Sequence, residues 1–323
     1  MKREASPPAL QRYLQKRKMQ KNEQSKLKII LLLDMMVFGV MGPIVRGIGL
    51  PSPVIACSRA WIASVVLTLY MILARRPFDK DVMRKVLPAL FVSGLCMAIS
   101  WIGLFEAYNY TTVATATVGF YLAPVLVFLV SPAILKESFT AKHLICALVA
   151  FFGMALVSGI FESGAAGEAL NPGAFKGILF ALLGAAGYAT SILVNKKQPE
   201  GDPIARTTIQ FFVAAIATTP YVLLRYPVSE LEFTPKGILL LLFLGIFLTA
   251  VTYIVYFSIV VKIPARTVAI LSYADPVTSV MVSVFFLGEK ITAFGILGVI
   301  LIIGAAVISE LSPSPKPQCK PQK

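Results

Sequence analysis

The chain has 323 residues, of which 57% are hydrophobic and only 14% are charged, and its mean hydropathy is +0.79. A soluble protein of this length cannot bury so much apolar surface in one core, so the composition excludes an ordinary globular domain and predicts a polytopic membrane protein. The formal net charge of +14 would suit nucleic-acid binding, but most lysines and arginines fall outside the apolar runs, which argues against that function.

Ten apolar runs are each long enough to cross the roughly 30 Å hydrocarbon core of a bilayer as a helix. Short connections with turn-forming residues, such as "NPG" and "PEGDP", separate them, and none could hold a soluble domain. The sequence therefore predicts an all-α integral membrane protein with ten transmembrane helices. The spans are residues 27–48, 54–74, 86–108, 112–134, 141–161, 174–194, 204–224, 236–259, 265–287 and 292–311.

The basic residues predict how these spans are oriented. Of the thirty lysines and arginines, 24 fall in the tails or in loops on the same side as the N-terminus, and five lie on the other side. Because cytoplasmic loops are enriched in Lys and Arg, we expect a multi-pass protein of the cell membrane with both termini in the cytoplasm. Residues 1–26 and 312–323 are then cytoplasmic tails.

The first three spans contain charged residues whose roles the sequence leaves open. Asp34 lies on one face of the first span with Phe38, Met41 and Val45, where it can bind a cation or proton or pair with a neighbour. Arg59 and Glu106 both lie toward the predicted outer ends of their spans. They can form a structural ion pair, or the arginine can anchor a substrate carboxylate.

Polar and aromatic stripes run along several later spans. Tyr121 lies near Pro124 in the fourth span, Tyr188 lies in the sixth, and Tyr253 in the eighth. Such residues can line a cavity that takes a flat or apolar organic compound, or they can pack between helices. His143, at the start of the fifth span, is interpreted as a solvated cap rather than a proton relay.

The ninth span carries an acidic residue and a proline near its middle, in the stretch "SYADPVTSV". A carboxylate at that depth costs about 2.5 to more than 10 kcal/mol unless it is wetted or paired, so Asp275 predicts a substrate or proton pathway. Pro276 cannot donate a backbone hydrogen bond, which predicts a helix kink there, and Pro124 predicts another in the fourth span. Tyr273 lies beside this acid.

The two halves of the chain resemble each other. "GFYLAPVLVFLVSPAILKESFT" and "LSYADPVTSVMVSVFFLGEKIT" are 152 residues apart, and this offset pairs Tyr121 with Tyr273 and Pro124 with Pro276. Because five is an odd number, a second copy of five helices enters the membrane upside down. The sequence thus predicts two inverted five-helix repeats, residues 27–161 and 174–311, with a binding site between them near the midplane.

These paired motifs, each a mid-helix proline followed by Leu-x-Glu-x-[Ile/Phe]-Thr, together with "SRAWIASVVLTLYMILARRP" in the second span, resemble the EamA family of the drug/metabolite transporter superfamily. The resemblance covers about residues 28–310. It implies a secondary transporter of small metabolites, such as amino acids, sugars, nucleosides or drugs, that does not hydrolyse ATP.

We therefore expect alternating access, with amino acids or related amphipathic compounds as substrates and export as the direction. The expected partners are the substrate, the lipid bilayer and a proton as coupling ion, and a homodimer is left open. No cofactor, metal site or enzymatic activity is expected, since nucleotide-binding and metal-ligand patterns are missing from the sequence. The rival functions are an intramembrane aspartyl protease using Asp34 and Asp275, and a channel or scaffold.

Overall fold

The structure, a computed structural model, describes residues 7–76, 79–136, 141–161, 172–198, 200–287 and 292–311. Every regular element in these ranges is a helix. The helices of the first half are α1 (Pro7–Ile48), α2 (Ser52–Leu73), α3 (Lys80–Ala107), α4 (Val113–Phe120), α5 (Ala123–Leu135) and α6 (Ala141–Val157). Those of the second half are α7 (Pro172–Lys197), α8 (Pro203–Arg225), α9 (Pro235–Gly245), α10 (Thr252–Val260), α11 (Ala265–Leu271), α12 (Ala274–Leu287) and α13 (Ala293–Leu311), with a 3-10 turn at Val228–Glu230 and a π-helical segment at Ile246–Val251.

By length and composition, six helical stretches of the described chain can cross a membrane. Two more, Ala141–Val157 and Ala293–Ser309, are apolar but shorter. Of the other predicted spans, residues 27–48 are the second part of α1, and residues 265–287 are divided between α11 and α12. The protein is thus a helical membrane protein, while the count of ten spans stays a prediction. The six stretches are Ser52–Leu73, Lys80–Ala107, Thr115–Leu135, Ala174–Lys197, Pro203–Arg225 and Pro235–Val260.

The N-terminal tail and the first span form one helix, because α1 already begins at Pro7. Residues 8–26 consist largely of Ala, Leu, Gln, Lys and Arg, which are good helix formers, and a proline is well tolerated at a first helical position. Charge alone predicted a tail here. Charge indicates the side of the membrane on which a segment lies, but it does not indicate whether the segment is helical.

Two helices are broken at positions that the repeat relates. Tyr121 and Leu122 separate α4 from α5, and Ser272 and Tyr273 separate α11 from α12. A proline follows each break within the first turn of the next helix, Pro124 in α5 and Pro276 in α12. Since proline has no backbone N–H and its ring crowds the preceding turn, the regular hydrogen-bond ladder stops before it, and a new helix starts.

The helix contacts follow the same two-fold relation. The most extensive contacts join α3 to α7, α6 to α13, α1 to α12 and α2 to α8, so that each pair takes one helix from each half. In addition, α5 packs on α7 as α12 packs on α1, and these two pairs are equivalent when the halves are exchanged. The core of the molecule is therefore the interface between the two repeats.

Glycines allow the backbones of α3 and α7, the pair with the most extensive contacts, to approach closely. A Cβ atom at Gly103 of α3 would lie 2.7 Å from the carbonyl oxygen of Phe180 in α7, and one at Gly187 of α7 would lie 2.7 Å from the carbonyl oxygen of Cys96. Membrane helices associate mainly through such backbone approaches between small residues, because lipid tails supply little hydrophobic driving force between helices.

Two helices end in a left-handed residue that is not glycine. Arg75, with φ +46°, follows α2, and Lys136, with φ +55°, follows α5. At the end of α2 the amides of Arg75 and Arg76 donate to the carbonyls of Ile72 and Met71, at 3.2 and 3.1 Å. Glycine is usual at this position, and a residue with a Cβ atom costs roughly 1–2 kcal/mol there.

The interpretation of His143 as a solvated cap is wrong, since this residue is only 2% exposed. It lies one turn before Ala147 and two before Ala150, on the face of α6 that is buried in the core. The proximity of Lys142 in the sequence suggested a solvated helix start, but the helical period decides which face a side chain occupies.

Candidate functional site

A cavity of about 380 Å³ lies between the two halves. The first half supplies most of its wall, from α1, α2, α3 and the broken pair α4 and α5, and the second half supplies Tyr188, Tyr253, Ser272 and Asp275. Cavities that bind small organic molecules commonly measure about 300–1,000 Å³, so the space suits a compact metabolite. Among the lining residues that the structure describes, Arg59 is the one cation and Asp275 the one acid.

The helix breaks place two repeat-related tyrosines across the interface. The hydroxyl of Tyr121 donates to Asp275 Oδ2 at 2.7 Å, from the first half to the second. The hydroxyl of Tyr273 donates in the other direction, to the backbone carbonyl of Tyr121 at 3.1 Å. Tyr121 lines the cavity, whereas Tyr273 is completely buried and does not line it. The same residue type thus has a cavity position in one repeat and a packing position in the other.

Three features stabilise the carboxylate of Asp275 at this depth. It lies in the first turn of α12, where the positive end of the helix dipole favours a negative charge. It accepts the hydrogen bond from Tyr121, and it faces a cavity rather than lipid. Gly39 of α1 packs against the backbone of α12, and a Cβ atom there would be 2.5 Å from the carbonyl oxygen of Asp275. The cavity and the helix break therefore make an acid tolerable here.

Arg59 has no carboxylate partner among the residues that the structure describes. Its guanidinium carbon lies 4.9 Å from the centre of the Trp101 ring, and its Nη1 lies 3.8 Å from the sulfur of Met41. The Nε atom is buried without a hydrogen-bond partner. The guanidinium is half-buried and has no carboxylate partner in the described chain, which makes it a candidate site for an anionic group.

The alternative of an ion pair between Arg59 and Glu106 is wrong. Glu106 instead accepts hydrogen bonds from the hydroxyl of Tyr221, at 2.5 Å, and from the side-chain amide of Asn109, at 3.3 Å. It does not line the cavity. The physical reason is helix rotation: Glu106 faces α8, whereas Arg59 stacks on Trp101, which lies on another face of α3. Spacing along the sequence did not reveal this.

Several aromatic side chains line the cavity. The ring of Tyr253 packs edge-on against Phe38 at 5.1 Å, and Phe120 lies 6.0 Å from Tyr188. The hydroxyl of Tyr188 donates to that of Tyr256 at 3.2 Å, so one tyrosine holds the orientation of the other. Aromatic rings of this kind offer apolar faces to an organic compound and attract a cation over the ring.

The wall also includes four aromatic residues that the sequence did not identify as cavity-lining. They are Phe38, Trp101, Phe105 and Phe120. In a membrane protein an apolar aromatic carries no sequence signal that separates cavity lining from packing. Ser100 of α3 also lies at the cavity wall, and its hydroxyl oxygen is buried without a hydrogen-bond partner.

Asp34 lies outside the cavity. It is 6% exposed, and its Oδ2 atom has no hydrogen-bond partner. One turn further along α1, Phe38 lines the cavity, as do Met41 and Val45. Asp34 is therefore on the face of α1 that leads to the cavity but is separated from the cavity itself.

The two prolines of the repeat differ in position. Pro124 lines the cavity, whereas Pro276, the equivalent residue of the second repeat, is buried and does not line the cavity.

Comparison with known proteins matches two segments of the chain, residues 26–159 and 175–310, to the EamA-like transporter family. The uncharacterized transporter YxxF of Bacillus subtilis (strain 168) is 23% identical over 288 residues, covering 89% of this chain and 90% of that protein. YwfM, another uncharacterized transporter from the same organism, is 28% identical over 225 residues, or 69% of this chain and 73% of its own length. A solved crystal structure, 18% identical, has a similar fold, with a TM-score of 0.78 over 88% of this chain and 98% of that one.

Proposed function

Because the chain belongs to the EamA-like transporter family, we propose that it is a secondary active transporter of amino acids or related amphipathic metabolites, working by alternating access. The observation that carries this proposal is the cavity at the interface of the repeats. A cation without a carboxylate partner in the described chain, Arg59, and an acid, Asp275, face the same cavity, whose wall includes several aromatic side chains.

Such a site is complementary to a zwitterion with an apolar portion. The substrate carboxylate binds the guanidinium of Arg59, and the ammonium group binds Asp275 in place of the hydroxyl of Tyr121. Aromatic side chains such as Trp101 and Tyr253 pack against the apolar portion. A substrate that contacts both halves of the protein has a different affinity in each conformation, which is the requirement for coupling binding to a conformational change.

The two breaks, at residues 121–122 and 272–273, are the places where such a change can occur. They interrupt the backbone ladder of two long helices next to the cavity, and each supplies a tyrosine that bonds to the opposite half. Movement of one half against the other would exchange these bonds while the helices on either side of each break stay intact. The proposed direction of transport is export.

Purified protein can be tested against a panel of amino acids, the matching amines and the matching carboxylic acids by thermal unfolding. A compound at 100 times its Kd adds about 2.7 kcal/mol to the stability of the protein that binds it. We expect intact amino acids with apolar side chains to raise the melting temperature more than analogues that lack either charged group. Equal shifts by amines and amino acids, or no shift from any compound, would contradict the proposed substrate class.

The protease alternative receives no support from the geometry. A pair of catalytic aspartates must share one site, and Asp275 faces the cavity while Asp34 lies outside it. Family membership also favours a transporter. A channel remains distinguishable by its kinetics, because flux through a channel does not show counterflow.

We also propose that both termini are cytoplasmic, on the distribution of Lys and Arg. A cysteine introduced at Gly167, which lies outside the described residues, should then react with a membrane-impermeant reagent in intact cells. A cysteine introduced at Gln198 should react only after the cells are opened. The reverse pattern would show that the orientation is wrong, although it would leave the fold unaffected.

A further inference from the structure

A second cavity, of about 470 Å³, lies away from the first one, between the C-terminal end of α2 and the N-terminal half of α8. Its floor and sides are mainly apolar, and two arginines line the end that follows α2. We call it the α2–α8 groove. The residues used below are Met71, Ile72, Arg75 and Arg76 of the α2 side and Ile209 and Phe212 of α8.

Arg75 occupies this groove at a conformational cost. It holds the left-handed position at the end of α2, where glycine would be free of strain. No carboxylate pairs with its guanidinium among the residues that the structure describes. Arg75 thus combines a strained backbone, an apolar groove beside it and no carboxylate partner in the described part of the chain, which makes it a candidate contact for a ligand from outside the chain.

Arg76, the second cation, is only partly neutralised. Its Nη1 lies 3.9 Å from Asp202 Oδ1, and 42% of its side chain is exposed. Asp202 also caps α8, with its other oxygen accepting from the amides of Ile204 and Ala205 at 3.1 Å. Asp202 therefore neutralises Arg76 only in part, and with Arg75 beside it the groove keeps a net positive charge.

The groove opens on the surface that faces lipid. Ile72 and Leu73, at the same end of α2, are 66% and 82% exposed, and Leu69 one turn earlier is 52% exposed. In a membrane such side chains lie against acyl chains, and the end of an apolar helix lies at the level of the headgroups. The apolar part of the groove is thus at acyl-chain depth, and the arginines are at phosphate depth.

We propose that the α2–α8 groove binds one anionic phospholipid of the surrounding bilayer. Its phosphate lies between Arg75 and Arg76, and one acyl chain packs against Met71, Ile72, Ile209 and Phe212. Basic pockets at the membrane interface attract anionic lipids with about 1 kcal/mol for each Lys or Arg, which corresponds to about fivefold in affinity. This site is separate from the cavity between the repeats and does not depend on the proposed substrate.

The test compares the melting temperature of purified protein in dodecyl maltoside micelles with and without phosphatidylglycerol. Phosphatidylcholine serves as the neutral lipid, and glycerol phosphate as the soluble phosphate. We expect a rise with phosphatidylglycerol that neither of the others produces. Arg75→Gly should melt higher than the wild type in detergent alone, because the strain is relieved, and should require at least about fivefold more phosphatidylglycerol for the same rise.

Lys136→Gly is the matched control. It removes one positive charge and the same left-handed strain at the end of α5, but Lys136 does not line the groove. We expect it to melt higher in detergent and to keep the full response to phosphatidylglycerol. Arg75→Gln removes the charge without introducing a glycine, and it should also lose the rise in melting temperature with phosphatidylglycerol. This variant tests the proposal if Arg75→Gly does not fold.

The proposal is overturned if both Arg75 variants keep the wild-type response to phosphatidylglycerol. It is equally overturned if Lys136→Gly loses the response to the same extent, since the effect would then be one of general surface charge. A rise of the same size with phosphatidylcholine or with glycerol phosphate, or no rise for the wild type, would also contradict it.

Discussion

Asp275→Asn should abolish proton-driven accumulation of substrate. Exchange of substrate across the membrane should stay largely intact at saturating substrate concentration, although at a higher KM, because the amide oxygen can still accept a hydrogen bond from the substrate ammonium group. An asparagine keeps the shape of the side chain and can still accept the hydrogen bond from Tyr121, which lies 2.7 Å from Asp275 Oδ2. It cannot take up or release a proton. A carboxyl group that is buried in one conformation and wetted in another binds protons differently in the two, which is what coupling to a proton gradient requires.

Proteoliposomes separate the two activities. Accumulation is measured with an imposed pH gradient, and exchange is measured without a gradient and with substrate on both sides. Asp34→Asn is the matched control, because Asp34 is also a buried acid but lies outside the cavity, and it should retain accumulation. If Asp275→Asn still accumulates substrate, or if Asp34→Asn is the variant that loses accumulation, Asp275 is not the coupling residue.

Arg59→Met should weaken the binding of amino acids by at least about tenfold, and it should leave the binding of the matching amines unchanged. A hydrogen bond to a charged group contributes about 1.5–3 kcal/mol, and 1.4 kcal/mol corresponds to a factor of ten. Methionine is close in length and can still pack on Trp101, whose ring centre lies 4.9 Å from the guanidinium carbon. The loss should therefore reflect the missing charge rather than a cavity in the packing.

Calorimetry or thermal shift with each amino acid and its matching amine measures this difference in affinity. Arg59→Lys, which keeps the charge but not the planar fork of donors, should give an intermediate affinity. An equal loss of affinity for amines and amino acids would mean that Arg59 supports the wall of the cavity and does not bind the carboxylate.

Much of the architecture can be read from periodicity and repetition. The repeat relates Pro124 to Pro276, and the structure breaks a helix before each of them. The acid in the middle of the ninth span predicted a substrate or proton pathway, and the structure places Asp275 at a cavity together with Tyr121, Tyr188 and Tyr253. These features follow from local chemistry, since proline interrupts a helix and an acid cannot face lipid, whatever the neighbouring helices are.

The rest depends on how the helices are rotated and paired, which one sequence does not specify. Arg59 and Glu106 have compatible charges and depths, but they face different helices, so the expected ion pair does not form. Tyr273 has the same motif position as Tyr121, yet it is buried, because the two repeats are not identical in packing. The sequence does not distinguish Trp101 from an aromatic residue of the core, because its role depends on the guanidinium of Arg59, which the fold places over its ring.

The most direct test of the central claim is counterflow in proteoliposomes, with a labelled amino acid that stabilises the purified protein. Vesicles preloaded with the unlabelled compound should take up the label transiently above its equilibrium level, without ATP, at a rate that saturates with concentration and falls in Arg59→Met. A flux that rises linearly with concentration and shows no overshoot would indicate a channel, and it would contradict alternating access about the cavity between the repeats.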